Sequence, residues 1–297
     1  MTLTGRRSPG GLDASSLRDV LLAQITDCHI VEPGDLMSDR VDTAAMLRAA
    51  VAHVTAMTPR PDVVLATGDL VNDGRPAQYE HLGEILADLT MPVYPIPGNH
   101  DVRDGIRKLF PDVVPPVVPA GSASDWVDYV VDEHPIRLVG LDTTIPGEPG
   151  GRLEPEQLVW LDEQLAREPD RPTLIFQHHP PFATGIDWMD RVGLENGQQE
   201  ADVVARHPQV ELLTCGHVHR AVHTRFGGTT ASCWPSTCVQ IALALDGTPY
   251  GLVDEPPGYA VHRWDAQEGV ASHFSYVDGP DSWQPPWAEE AIRSTGS

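Results

Sequence analysis

Five short clusters in this 297-residue chain combine residue types able to bind metal ions and move protons. They are Asp27-Cys28-His29, Gly68-Asp69, Gly98-Asn99-His100-Asp101, His178-His179 and Gly216-His217-Val218-His219. Each alone is ordinary, since Gly-Asp and Gly-Asn pairs mark turns and paired histidines often sit on surfaces. Together, Asp27, His29, Asp69, Asn99, His178, His217 and His219 supply two carboxylates, one amide oxygen and four imidazoles. This mixed oxygen and nitrogen set suits first-row divalent cations such as Zn, Mn, Fe or Co, whereas calcium sites are built from oxygen alone. In Asp27-x-His29 and His217-x-His219, extended backbone would point both side chains to one side and turn Cys28 and Val218 away.

Something must hold these clusters in register. Short apolar runs end just before them, at residues 20–26, 62–67, 92–96, 173–177 and 210–214, with a further run at 136–141. Their lack of alternation predicts strands buried on both faces. Helical spacing at 43–57, 76–89 and 155–167 separates them, and the last two begin with Pro at a first helical position. Strands alternating with helices predict an α/β layered core whose polar strand ends line one rim. After residue 220 the helical spacing stops, and 221–226, 229–233, 239–245, 259–264 and 269–276 predict short, antiparallel strands or a cap. Residues 111–119 predict a proline-rich surface loop.

Composition narrows the substrate. The chain carries 20 Lys and Arg against 43 Asp and Glu, a formal net charge of −23, which argues against a nucleic-acid polymer or an anionic membrane surface. No apolar run near the start is long enough for export or membrane spanning, so a cytoplasmic location is expected. The four cysteines, Cys28, Cys215, Cys233 and Cys238, do not form a disulfide framework and are expected as core thiols; pairing of Cys233 with Cys238 stays open.

The clusters, in their order D-x-H, G-D, G-N-H-D, H and G-H-x-H, resemble the calcineurin-like metallophosphoesterases. Gln177-His178-His179-Pro180-Pro181-Phe182, Cys215-Gly216-His217-Val218-His219-Arg220, Pro235-Ser236-Thr237 and Glu255-Pro256-Pro257-Gly258-Tyr259 are similar to the bacterial glycerophosphodiesterase and class III cyclic nucleotide phosphodiesterase branch. The resemblance implies a layered α/β/β/α sandwich over residues 20–220, an N-terminal extension at 1–19, and a β-rich part at 221–297 that completes the core and forms a cap or oligomer contact. It implies that Asp27, His29, Asp69 and His219 hold one cation and that Asp69, Asn99, His178 and His217 hold the other, with Asp69 bridging. His100 is then the histidine that faces the phosphate and its leaving group, a candidate hydrogen-bond donor or general acid, while His179 has no assigned metal role.

The implied activity is hydrolysis of small phosphodiesters, glycerophosphodiester-like, by a metal-bound hydroxide at a pair of Fe, Mn, Zn or Co ions. A 3′,5′-cyclic nucleotide phosphodiesterase is the alternative, and a metal-bound scaffold without activity is a more distant one. Two divalent cations against Asp27 and Asp69 leave about +2 locally, while distant surface acids are screened beyond about 8 Å. Near the clusters stand only Arg75, Arg103, Arg191 and Arg220, few cations for gripping a dianionic monoester. Residues 184–196, with Trp188, Met189 and Asp190, and the C-terminal region are candidates for a wall over the site. A homo-oligomer, a dimer or larger, is expected through residues beyond 220.

Overall fold

The computed structural model describes residues 19–114 and 125–277. The expected N-terminal extension thus lies outside the described residues except at Asp19, as does the later part of the 111–119 loop.

The chain opens with β1 (Val20–Ile25), α1 (Thr43–Ala56), β2 (Val63–Thr67), α2 (Pro76–Leu86), β3 (Val93–Ile96) and α3 (Arg103–Leu109). It continues through β4 (Tyr129–Val131), β5 (Arg137–Leu141), α4 (Pro155–Arg167), β6 (Thr173–Gln177), α5 (Asp187–Asp190), α6 (Gly197–Val204) and β7 (Val210–Cys215). Strands β8 (Val222–Phe226), β9 (Thr229–Cys233), β10 (Gln240–Ile241), β11 (Leu252–Val253), β12 (Gly258–Asp265) and β13 (Gly269–Tyr276) follow.

Two sheets form, in the orders β13-β12-β1-β2-β3 and β4-β5-β6-β7-β9-β8. Strands β2, β5 and β6 are buried along their whole lengths, the reason their sequences show no alternation. One core joins α1 and α2 to the first sheet and to Leu138, Leu174 and Phe176 of the second. A second core packs Leu161 and Leu165 of α4, and Val203 and Val204 of α6, against Val139, Ile175 and Leu213. The layers therefore run α/β/β/α, as expected.

Local chemistry sets the helix starts. The Asp42 carboxylate accepts from the Ala45 N–H to cap α1, and the Gln157 side chain accepts from the Glu154 N–H before Pro155 begins α4. The short elements α3, α6 and β4 were not expected, since three to eight residues carry too few periodic positions to read.

Two expectations for the C-terminal part need correction. Strand β9 joins β7 in parallel, so the added strands are not all antiparallel. Only Gln240–Ile241 of the expected 239–245 strand pairs, with β11, because the chain turns back at Asp246 and Gly247. Strands β12 and β13 extend the first sheet antiparallel to β1. All four cysteines are buried and free, as expected of core thiols. Among the described residues no helix is long and apolar enough to cross a membrane.

Candidate metal centre

Both sheets stop at one rim, and all five clusters emerge there. Strand β1 ends two residues before Asp27, β2 two before Asp69, β3 three before Asn99, β6 directly before His178, and β7 two before His217. Four histidines, two aspartates and Asn99 from distant parts of the chain consequently converge.

The extended-backbone account of the D-x-H and H-x-H pairs is not what the structure shows. Asp27, His29, Asp69, His217 and His219 all have positive φ, between 45° and 70°. The strands have already ended, and left-handed residues turn alternate side chains inward while Cys28 and Val218 drop into the two cores. Asp and His tolerate this region better than most residues, yet each such residue still costs about 1–3 kcal/mol. Cross-loop bonds stabilise the geometry: Asp27 N–H to the Gly68 carbonyl at 3.0 Å, His29 N–H to the Asp69 carbonyl at 2.9 Å, and His217 N–H to the Asp27 carboxylate at 3.0 Å.

Two glycines allow the loops to touch. A Cβ on Gly98 would stand 2.3 Å from both N and Oδ1 of Asp69, and one on Gly216 would stand 2.0 Å from Thr26 Oγ1. Asp101, the last residue of the third cluster, takes no place among the convergent atoms. Its buried carboxylate accepts from the N–H groups of Gly98, Leu70 and Val71 and ties the second loop to the third. Burial, with the neighbouring Asp69, pushes Asp101 up to about 6. That positioning role was missed; its one sequence signal is an aspartate next to turn residues.

The ring orientations expose lone pairs. His219 Nδ1 donates to the Val239 carbonyl at 2.6 Å, and His178 Nδ1 donates to the Thr67 carbonyl at 2.9 Å. Each Nε2 therefore faces inward as an acceptor in the neutral ring. His219 Nε2 lies 3.3 Å from His29 Nε2 and 3.4 Å from Asp27 Oδ1. His178 Nε2 lies 3.2 Å from Asn99 Oδ1, 3.2 Å from His217 Nδ1 and 3.4 Å from Asp69 Oδ2. Desolvation pushes both His29 and His217 down to about 3, so both rings are neutral. In His178 desolvation acts in the same sense, but the carboxylates of Asp69 and Asp27 overcome it and raise the ring to about 9, so without a cation Nε2 holds a proton, whose place a bound cation would take.

This donor set fits divalent cations. Acceptor atoms packed against acceptor atoms repel one another unless a positive charge sits among them. Atoms about 2.1 Å from one ion stand about 3.0–3.4 Å apart, the spacing found here. The convergent atoms of the remaining two histidines are His29 Nε2 and His217 Nδ1. His179 lies beside the cluster, but its ring is engaged by Thr143 Oγ1 at 2.8 Å and the Pro149 carbonyl at 3.3 Å. Both ring nitrogens of His179 are thus engaged, although the ring also lies within reach of His178 and His217.

His100 stands at the mouth, with its side chain about two-fifths exposed and its ring edge-on to His29 at 4.7 Å. Its Nδ1 donates to the Asn72 carbonyl at 2.7 Å, and its Nε2 is 4.0 Å from Asp69 Oδ2. A cavity of about 370 Å³ opens above, lined on the cluster side by His29, Asp69, Asn99, His100, His217 and His219. Trp188 and Met189 from the 184–196 segment, and Tyr250 and Leu252 from the C-terminal region, also line it, the two regions expected to wall the site. Asp190 instead accepts from the N–H groups of Thr184 and Gly185, bracing the loop. Of the nearby arginines, Arg75 pairs with Glu32, Arg103 with Asp142 and Arg220 with Glu255.

Comparison with known proteins agrees with this geometry. The chain is 34% identical over 272 residues to a probable glycerophosphodiester phosphodiesterase GpdQ of Arcobacter nitrofigilis, covering 88% of this chain and 96% of the relative. It is 35% identical over 259 residues to the 3′,5′-cyclic adenosine monophosphate phosphodiesterase CpdA of Pseudomonas aeruginosa, covering 87% and 90%. A dimetal phosphatase from Danio rerio shares the fold, with a TM-score of 0.57 at 17% identity over 87% of this chain and 99% of that one. The profile of the calcineurin-like phosphoesterases matches residues 20–221, the span that holds every convergent ligand atom. With that match, the ordered clusters and the shared rim, the chain belongs to the calcineurin-like phosphoesterase family.

Proposed function

We propose that the protein hydrolyses small phosphodiesters at a dinuclear divalent metal centre, with Asp27, His29, Asp69 and His219 around one cation and Asp69, Asn99, His178 and His217 around the other. The observation that carries this reading is the convergence of inward-facing acceptor atoms at 3.2–3.4 Å in two groups that flank Asp69. Fe, Mn, Zn and Co all accept such ligands. A pair of ions held by these residues would supply Lewis acidity and lower the pKa of a water.

The protein's own groups do the rest. Asp69 would be shared by both cations, since its Oδ2 lies 3.4 Å from His178 and 3.8 Å from His29, while its Oδ1 is anchored by the His100 N–H at 2.8 Å. His100 is the general acid. Since its Nδ1 proton is committed to Asn72, its Nε2 donates a proton to a leaving alkoxide only from the imidazolium form.

The GpdQ relative supports a glycerophosphodiester substrate, and the CpdA relative supports a 3′,5′-cyclic nucleotide as the second reading. The absence of Lys and Arg from the described cavity lining favours a monoanionic diester over a dianionic monoester. Leu243, Leu245 and Tyr276 expose large apolar surfaces, which supports self-association through residues beyond 220. The deciding assay compares kcat/KM of metal-reconstituted protein on glycerophosphoethanolamine, cyclic AMP, bis(p-nitrophenyl) phosphate and p-nitrophenyl phosphate. Diesters should dominate; faster turnover of the monoester would overturn the reading.

A further inference from the structure

The wall opposite the metal centre has an unusual composition for a site meant to hold a polar headgroup. Met37, Met189, Val192 and Ile241 line it with Trp188 and Tyr250, and no Lys, Arg or Glu is found among the described lining residues. Trp188 and Tyr250 face each other with ring centroids 6.0 Å apart and planes tilted by 48°. Both are large apolar side chains left about half exposed, at 49% and 47%, beside an apolar cavity. They come from two segments that meet over the site, α5 and the turn between β10 and β11.

We propose that Trp188 and Tyr250 are specificity-determining residues that stack on a planar, apolar ester group of the substrate, a nucleobase or an aryl ring, while its phosphate sits at the metal centre. This assignment rests on the phosphodiesterase reading above and narrows its substrate class. An aromatic face accepts any flat ring without hydrogen-bond readout, and stacking gains most where water is displaced from both partners. A cavity of about 370 Å³ is on the scale that encloses a nucleotide-sized ligand. Among the described lining residues an alkylammonium headgroup would find no carboxylate besides Asp69 of the centre, and outside the centre a glycerol group would find hydrogen-bonding side chains only at Ser38, Asn72 and the Tyr250 hydroxyl.

The test compares wild type with Trp188→Ala, Trp188→Phe and Tyr250→Ala, each reconstituted with metal. Substrates are cyclic AMP and bis(p-nitrophenyl) phosphate, which carry rings, and glycerophosphoethanolamine, which carries none. The alanine variants should lose roughly 10- to 100-fold in kcat/KM on the ring-bearing diesters, mainly through KM, and less than about threefold on glycerophosphoethanolamine. Trp188→Phe should recover most of the loss.

A second arm is independent of turnover. Cyclic AMP titrated into metal-free protein should quench tryptophan fluorescence saturably, the quench should be lost in Trp188→Phe, and Tyr250→Ala should raise the apparent Kd about tenfold. Equal losses on all three substrates would mean that the pair only shapes the cavity, and would overturn the assignment. A larger loss on glycerophosphoethanolamine would mean that the rings grip an ammonium group, and would also overturn it. Wild type inactive on every diester would defeat the phosphodiesterase reading, and the quenching arm would still decide whether the rings bind a base.

Discussion

His219 donates its Nδ1 proton to the main-chain carbonyl of Val239, 2.6 Å away, and so holds its Nε2 lone pair toward Asp27 and His29. The segment containing Val239 also braces the loop of Asp27 on the same side of the site, since Ser236 Oγ donates to the Asp27 carbonyl and Thr237 N–H to that of Thr26. Residues after 220 thereby orient ligand atoms without contributing one. Main-chain carbonyls do this well, because the bond survives any side-chain change that spares the backbone.

The two halves of the centre should differ in affinity. One half has a neutral amide, Asn99, where the other has the Asp27 carboxylate, and a neutral oxygen attracts a cation less strongly. Metal titrated into chelator-treated protein should bind in two separated steps by calorimetry. Asn99→Asp should tighten the weaker step about tenfold or more; two equally tight steps in wild type would contradict the assignment.

Replacing His100 should separate metal binding from turnover. His100→Ala should retain both metals by elemental analysis and lose about 100-fold or more in kcat on diesters with alkoxide leaving groups. On bis(p-nitrophenyl) phosphate, whose leaving group needs no proton, the loss should be clearly smaller. Equal losses on both substrates would remove the general-acid role.

Gly98 should be intolerant of any side chain. The Cβ of Gly98→Ala would lie 2.3 Å from Asp69 N and Oδ1, and the loop must shift to relieve it. Far-ultraviolet circular dichroism should stay close to wild type, since the strands are untouched, while stability falls by about 1–3 kcal/mol. Metal content should fall well below two ions per chain, and two retained ions would show that the loops yield without cost.

Stability should fall as pH rises, through Glu200. This carboxyl is fully buried under β6, and burial pushes it up to about 8, against an ordinary value of 4.5, although Gln177 donates to it at 3.2 Å. Below about pH 4.5 both folded and unfolded chains hold the proton. Between about 4.5 and 8 only the folded chain does, so folding grows progressively less favourable. Glu200→Gln removes this dependence and should stabilise the protein by on the order of 3 kcal/mol at pH 8, with almost no gain at pH 4.5. Denaturant titrations at the two pH values measure it, and an equal gain at both would rule out the protonation account.

Much of the candidate centre was legible in the sequence because metal ligation would restrict residue type so severely. Asp27, His29, Asp69, Asn99, His178, His217 and His219 could be gathered from their chemistry and order, each at the end of an apolar run. The layered core was legible for a related reason: fully buried strands such as Val63–Thr67 and Thr173–Gln177 leave unbroken apolar runs between helices. Short elements such as Tyr129–Val131 left no such trace.

Only the tertiary structure decided how the ligands are aimed. Spacing alone suggested extended backbone for Asp27-x-His29, whereas cross-loop hydrogen bonds hold both residues at positive φ. Nothing local marks Val239 as the carbonyl that orients His219, or Tyr250 as the ring facing Trp188, because these partners stand 20 and 62 positions apart and meet only when the sheets are complete. Residue type and order are written locally and determine which chemistry is available. The direction of each lone pair and the shape of the opposing wall depend on contacts between distant segments, which no single stretch of the chain contains.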